Sequence, residues 1–260
     1  PGYISYFIQG INAHMYNIEQ ERWNDVLNNH WWGLGHYAII ETLIKAQLRS
    51  SSARRNNLRC LDVGCSGGTT LGFLKQFGQA YGFDISSDGL SYCADRSGVI
   101  QADATKIPFK NESFDLITVL DVAEHVADDG MLFREIYRIA KKGGTVFVNV
   151  PAFAFLWRSH DVRYGHKRRY SKSSITRLAL KHCFTIEKAI YLHAHFMAPL
   201  LFSALTDRLS GKCPGARDDF ISFGPLFDTL LLNTLLLERR LSRYVALPLG
   251  ISLFLTLKKL

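Results

Sequence analysis

The chain is poor in features that would assign it quickly. It has only five cysteines in 260 residues (Cys60, Cys65, Cys93, Cys183 and Cys213), and their spacing fits neither a metal knuckle nor a redox pair. An odd number of thiols, two of them at a glycine-rich loop, points to a reducing compartment, and the expectation is a cytoplasmic protein. No signal-peptide pattern is visible. No run of about 20 apolar residues is uninterrupted, which argues against a transmembrane helix. There is no internal repeat. The first glycine cluster lacks the G-x-G-x-x-G spacing of a dinucleotide turn: after Gly64 and Ser66 the third position is Thr69. No set of three metal ligands stands at clear spacing, although His160, Asp161 and His166 leave one open, and no metal is assigned. Acidic residues are also in deficit. Thirty-one Lys and Arg face 23 Asp and Glu, a formal net charge of +8, with a pI of about 9.3. That balance favours anionic partners such as phosphate groups, an acidic membrane surface or nucleic acid. Nucleic acid is the least favoured, because the cations gather in one loop and form no stripe interleaved with aromatics.

Apolar residues are plentiful, at 47% of the chain, enough for a sizeable core. The organising stretch is Asn57–Leu71. Leu58, Cys60, Leu61 and Val63 read as a short buried strand ending near Asp62. Gly64, Gly67 and Gly68 then give way to Thr69, Thr70 and an apolar helical pattern. Such a strand–glycine–helix turn brings backbone N–H groups and the positive end of a helix close to a ligand. A second strand, Ala80–Ile85, ends in Asp84, 22 residues after Asp62. An acid at that tip can accept both hydroxyls of a ribose.

From Leu58 onward, strand and helix patterns alternate, which predicts a doubly wound parallel sheet. Strands are predicted near 58–63, 80–85, 98–102, 114–120, 144–150, 184–191 and 250–258. Helices are predicted near 69–77, 87–94, 128–140 and 172–182. Gly143 and Gly144 read as the stop after the third of these helices, and Ser171 or Ser173 as the cap of the fourth. Before the sheet, residues 3–19 read as a short helix or arm. Glu21–Leu48 reads as two helices interrupted by the run at 29–35, and Ser50–Asn57 as a polar linker. The apolar positions of those helices are core by their spacing; the aromatic run can also cover a ligand. Domain bounds follow: a helical cap over 1–57 and an α/β domain over 58–260, with a long apolar insertion at about 192–248. The insertion reads as two packed helices, or as an apolar lid or membrane-interface face.

Five segments in order, LDVGCSGG, GFDIS, QADATKIPF, SFDLITVLDVAEHV and REIYRIAKKGGTVFVNVP, resemble those of a class I S-adenosylmethionine-dependent methyltransferase of the type 11 group. The resemblance runs from about Leu58 to Pro151. It implies a Rossmann-like seven-stranded sheet, mostly parallel, whose antiparallel last strand is inserted near one edge. It also implies S-adenosylmethionine as methyl donor and S-adenosylhomocysteine as product. Where the family's loop reads D-x-G-x-G-x-G, this chain keeps Asp62, Gly64 and Gly68 and places Ser66 at the middle glycine. The cofactor set implied is Asp62, Gly64, Cys65, Ser66, Gly68, Asp84, Ile85, Asp103, Ala104 and Leu120. Within it, Asp84 takes the ribose, Asp103 and the amide of Ala104 take the adenine, and Asp62 orders the loop and the amino end of the methionine moiety. The aromatic run at 29–35 caps the cofactor in similar enzymes.

The acceptor side is sought at the carboxyl end of the fourth strand and in Trp157–Tyr170, WRSHDVRYGHKRRY. The latter resembles a segment of a bacterial-type subgroup associated with glycan and lipid-linked metabolism. His160 or His166 can take a proton near neutral pH. Arg168 and Arg169 can hold a phosphate or carboxylate with forked geometry. Asp121, His125, Tyr164 and Tyr170 complete the candidate substrate set, and Glu124–His125 reads more readily as structural than as catalytic. The expected reaction is O-methylation of a small or amphipathic anionic acceptor, such as a phosphate- or lipid-linked sugar, with possible peripheral contact to the inner membrane face. The alternatives are a nucleic-acid or protein methyltransferase, and an inactive module that binds S-adenosylmethionine. The sequence leaves the oligomeric state open.

Overall fold

The computed structural model describes residues 25–50, 57–210, 222–242 and 244–260. The predicted arm at 3–19, the start of the first helix at 21–24, the linker at 51–56 and Cys213 lie outside the described residues. One seven-stranded sheet has the order β3-β2-β1-β4-β5-β7-β6. Its strands are β1 (Leu58–Val63), β2 (Gly78–Asp84), β3 (Val99–Gln101), β4 (Phe114–Leu120), β5 (Ala140–Pro151), β6 (Phe184–Leu192) and β7 (Ser252–Lys259). Pairs from β3 through β5 are parallel, and β7 runs antiparallel between β5 and β6. This is the predicted topology, inserted last strand included.

The strands in the middle of the sheet are buried on both faces, as their continuous apolar runs require. On one face α4 (Asp129–Ile139) presents Leu132, Phe133, Ile136 and Ile139, and α6 (Lys172–Lys181) presents Ile175 and Ala179. Asp128 caps α4 by accepting the Met131 N–H, and Ser171 caps α6 by accepting the Ser174 N–H. On the other face α1 (Trp31–Ser50) lays Ile39, Ile40, Leu43 and Ile44 against Leu116, Phe147 and Phe254. The short helices α2 (Thr69–Leu74), α3 (Ser87–Ser91) and α5 (Ser159–Arg163) line the carboxyl ends of the strands. The insertion forms α7 (Met197–Ser210) and α8 (Pro225–Leu241). Among the described residues, no helix is long and apolar enough to cross a membrane.

Two expectations need correction. The N-terminal helices part at His30 alone, and α1 runs straight through Gly33 and Gly35. These glycines serve close packing: a Cβ on Gly33 would lie 2.1 Å from the Val26 carbonyl oxygen, and one on Gly35 2.3 Å from Leu235 Cδ1 of α8. Further on, Gly143 and Gly144 do not stop a helix. The helix ends at Ile139, and the pair lies inside β5 where the register against β4 slips between Phe114 and Leu116. Gly143 has φ 70°, as such a bulge favours.

Candidate functional site

At the carboxyl ends of the strands a cavity of about 950 Å³ opens between α1, the sheet and α7. It is large enough for a nucleoside-sized molecule with an acceptor beside it. One wall is the glycine loop. Gly64 has φ 72°, and a Cβ there would lie 2.5 Å from Val122, so the loop rests directly on the turn after β4. Ser66 also takes a left-handed conformation, φ 42°, which costs a non-glycine residue. Its N–H donates to Asp84 Oδ2 at 2.9 Å, and the Ser86 N–H donates to Oδ1 at 2.8 Å. The carboxylate at the tip of β2 therefore holds the serine where a glycine would sit without strain.

Asp62 is buried and accepts the Thr118 hydroxyl at 2.7 Å. Burial pushes its carboxyl up to about 7, against the pull of that hydrogen bond. Asp103 accepts the N–H and hydroxyl of Thr105 on one oxygen. These bonds hold its pKa below the ordinary range. Of the ten residues in the implied cofactor set, Gly68 alone does not line the cavity. It opens α2 at φ 83°, and a Cβ there would meet Cys93 Sγ at 2.6 Å. Its place in the motif reflects packing against α3 and its neighbours. The donor and acceptor set fits S-adenosylmethionine: carboxylates end β1 and β2, a third follows β3, and Trp31, Trp32 and Tyr37 of α1 roof them.

The opposite wall is the basic loop, and it is not a solvated surface. Asp161 is fully buried at its centre. It accepts Arg169 Nε at 2.7 Å and Nη2 at 2.9 Å, the Arg158 N–H at 3.0 Å, and faces His166 Nδ1 at 2.8 Å. Burial alone would raise its pKa, yet His166 and Arg169 hold it well below the usual carboxylate range. The fork of Arg169 is thus committed to an internal pair. Arg168 is bound to Asp129 Oδ2 at 2.7 Å and to the Ala127 carbonyl oxygen, and it does not line the cavity. Tyr170 is core: its hydroxyl donates to the Ala123 carbonyl or to Asp129, 2.9 Å away, while its backbone clips to Pro151 and Phe153. The expected forked anion grip from Arg168 and Arg169 is therefore absent, and Tyr170 is not a substrate contact. Arg169 borders the cavity with its fork already engaged, and Arg158, Arg163 and Tyr164 line it too, with His160 and His166 beside them.

The turn after β4 completes the floor. Asp121, at φ 55°, accepts the Asn149 amide at 2.7 Å and faces His36 Nε2 at 3.3 Å. Burial raises the Asp121 carboxyl, but His36 and Asn149 bring it below its ordinary value. Glu124 and His125 both line the cavity. Burial, reinforced by Asp121, raises the Glu124 carboxyl well above its ordinary value. Burial also lowers His125 to about 4.

A chain of buried polar groups leads away from Asp121. His36 Nδ1 lies 2.8 Å from His193 Nε2, and the His193 N–H donates to Glu238 Oε1 at 2.6 Å. His193 takes φ 62° and is fully buried. This chain ties α1, the end of β6 and α8 to the cavity floor, and sequence reasoning missed all three members. The one available signal was His36, placed four residues from Trp32 and three from Ile39 on an apolar helical stripe.

Residues 61–148 match the family described as methyltransferase domain. Norajmaline N-methyltransferase from Rauvolfia serpentina is 32% identical over 134 residues, 46% of this chain and 45% of that protein. A ubiquinone biosynthesis O-methyltransferase from Xanthomonas oryzae pv. oryzae is 28% identical over 135 residues, 47% of this chain and 56% of that protein. The chain thus spans about half the length of these curated relatives. The solved structure of an S-adenosylmethionine-dependent methyltransferase from Mesorhizobium loti superposes with a TM-score of 0.55 at 15% identity, covering 90% of this chain and all of that one. Residues 61–148 thus match a methyltransferase domain, and the chain shares the fold of that solved enzyme.

Proposed function

We propose that this chain methylates an oxygen of a small or amphipathic anionic acceptor, with S-adenosylmethionine as donor. The observation that carries the reading is the pairing of two chemistries in one cavity. Carboxylates from β1, β2 and the loop after β3 face imidazoles and guanidinium groups from the basic loop. Asp84 takes the ribose hydroxyls, Asp103 and the Ala104 N–H take the adenine, and Asp62 meets the ammonium of the methionine moiety. Trp31 and Trp32 cover this end and exclude water. When bound, S-adenosylmethionine supplies a methyl group on a sulfonium, displaced in line by the acceptor oxygen to leave a neutral thioether.

Because that displacement neutralises charge, the protein's part is alignment more than stabilisation of a new charge. Asp121 and the turn after β4 position the acceptor against the cofactor loop. The acceptor hydroxyl loses its proton to an imidazole of the basic loop, where His160 and His166 stand. Arg158 and Arg163 meet the anionic part of the acceptor, in place of Arg168 and Arg169. His160→Ala should cut turnover by roughly 10²–10⁴-fold and leave affinity for S-adenosylhomocysteine intact. Full activity in both His160→Ala and His166→Ala would end the reading of this wall as the acceptor site.

The amphipathic part of the proposal rests on α7 and α8. Phe196 and Leu200 reach the cavity from the start of α7, while outer positions carry Phe202 at 71%, Leu209 at 87% and Leu226 at 80% exposure. Apolar surface continuous with a site suits an acceptor drawn from a lipid interface. With a net charge of +8, the protein should sediment with anionic vesicles and stay in the supernatant with neutral ones. Equal recovery in the supernatant with both would leave α7 and α8 as packing elements alone.

A further inference from the structure

We propose that the turn after β4 and the basic loop together form a divalent-cation site whose ligands are Glu124, His125 and His166. One ligand atom from each of the three lies within 4.8 Å of the other two. In a tetrahedral zinc site, ligand atoms stand about 3.4 Å apart, so the cluster needs a closure of about 1 Å or a little more. An ion would draw the Glu124 carboxylate, the one member with an unpartnered oxygen, inward to supply most of that closure.

Three features separate this cluster from a chance meeting of polar groups. First, Glu124 is 1% exposed, and its Oε2 has no hydrogen-bond partner. Buried carboxylate oxygens ordinarily find a donor, so an orphan on a carboxylate that stands beside two imidazoles asks for a cation. Second, each imidazole has an anchoring partner outside the cluster. His166 Nδ1 faces the fully buried Asp161 at 2.8 Å, and the His125 ring bonds the backbone of Tyr164. Such outer partners fix the ring and aim the other nitrogen's lone pair, as around metal-bound histidines. Third, the two loops are locked together: the Lys167 N–H donates to the Glu124 carbonyl oxygen at 2.6 Å, and the His125 and His166 rings meet edge to face at 4.7 Å.

Neighbouring acids are excluded as ligands by their own bonds. Asp161 is taken by Arg169 and His166, and Asp121 by Asn149 and His36. Two imidazoles and one carboxylate beside an open cavity suit zinc, or cobalt as its spectroscopic substitute. The proposal rests on the reading above only for the ion's role. An ion at this position would draw an acceptor hydroxyl to it and lower that hydroxyl's pKa. His166 is then a ligand, and His160, its ring 5.8 Å from that of His166, is the imidazole that takes the proton.

The test uses the untagged protein, stripped with a chelator and dialysed, then titrated with Co²⁺ alone. Calorimetry and visible absorption should report one ion with a ligand-field band. Glu124→Gln and His125→Gln should each weaken binding at least tenfold, while still binding S-adenosylhomocysteine, which shows that they fold. In the wild-type protein, bound Co²⁺ should shift or broaden the ring-proton resonances of His125 and His166. Absence of the band, of the resonance effect, or of any loss in the two variants overturns the site. Failure of the wild-type protein to bind S-adenosylhomocysteine would instead sink the methyltransferase reading and leave the cobalt result standing.

Discussion

Replacing Asp84 by alanine probes two layers of the cofactor site at once. Without ligand, its carboxylate accepts the N–H groups of Ser66 and Ser86 at 2.9 and 2.8 Å. Ser66 sits at φ 42°, and the described structure holds it there through that carboxylate. Hydrogen bonds to a charged group contribute about 1.5–3 kcal/mol each, so the apo protein should lose stability and the loop should relax. With ligand, two ribose hydroxyls lose a charge-assisted acceptor as well. Together these predict a loss of about 2–4 kcal/mol in binding S-adenosylhomocysteine, or roughly 30- to 1,000-fold in Kd. Asp84→Asn should fall between, because it keeps one acceptor oxygen and gives up the charge. Isothermal titration measures both variants, and thermal unfolding without ligand separates loop damage from lost contact. Wild-type affinity in Asp84→Ala would refute the assignment of this carboxylate to the ribose.

Three other perturbations probe different parts of the fold. Asp62 titrates near 7 when folded, above its unfolded value of about 3.9, so the stability it contributes is present in acid and lost as pH rises through 7. Affinity for the ammonium of S-adenosylhomocysteine should therefore rise about tenfold per pH unit up to 7 and level off above it, with proton release seen by calorimetry in buffers of different ionisation heat. Asp161 has the opposite sign: its depressed pKa gives stability present above about pH 4 and lost on further acidification. Asp161→Ala strands Arg169 and should cost about 3–5 kcal/mol, read from denaturant unfolding. Gly35→Val should lose about 1–3 kcal/mol by driving α1 off Leu235, and a variant as stable as the wild type would show that the α1–α8 contact gives way freely.

The central strands were legible because they carry apolar runs long enough to be buried, as in Leu58–Val63 and Ser252–Lys259, whereas the edge strand Val99–Gln101 is short and largely exposed. The cavity wall that carries Asp62, Gly64 and Asp84 was legible for a related reason: these residues are local to strand ends, so short spacings describe them. Misreadings arose where a residue's meaning lies in a distant partner. Gly33 and Gly35 look like helix breakers until Val26 and Leu235 are seen pressed against them. Arg169 looks like a free cation because nothing in the local pattern of the loop marks Asp161 as its internal counter-ion. The His36–His193 contact joins residues 157 apart, and no local pattern encodes it. Glu124 and His125 come near His166 only in the fold, because His166 arrives from the far side of β5.

The central claim is methyl transfer to an acceptor oxygen at the wall formed by the basic loop. It is tested most directly by incubating the protein and a cell extract with S-adenosylmethionine labelled with deuterium in its methyl group, followed by mass spectrometry. The account expects a labelled anionic product whose label sits on oxygen, formed with stoichiometric S-adenosylhomocysteine and absent with Asp84→Ala. A label found on nucleic acid, on protein or on a carbon or nitrogen atom would contradict it.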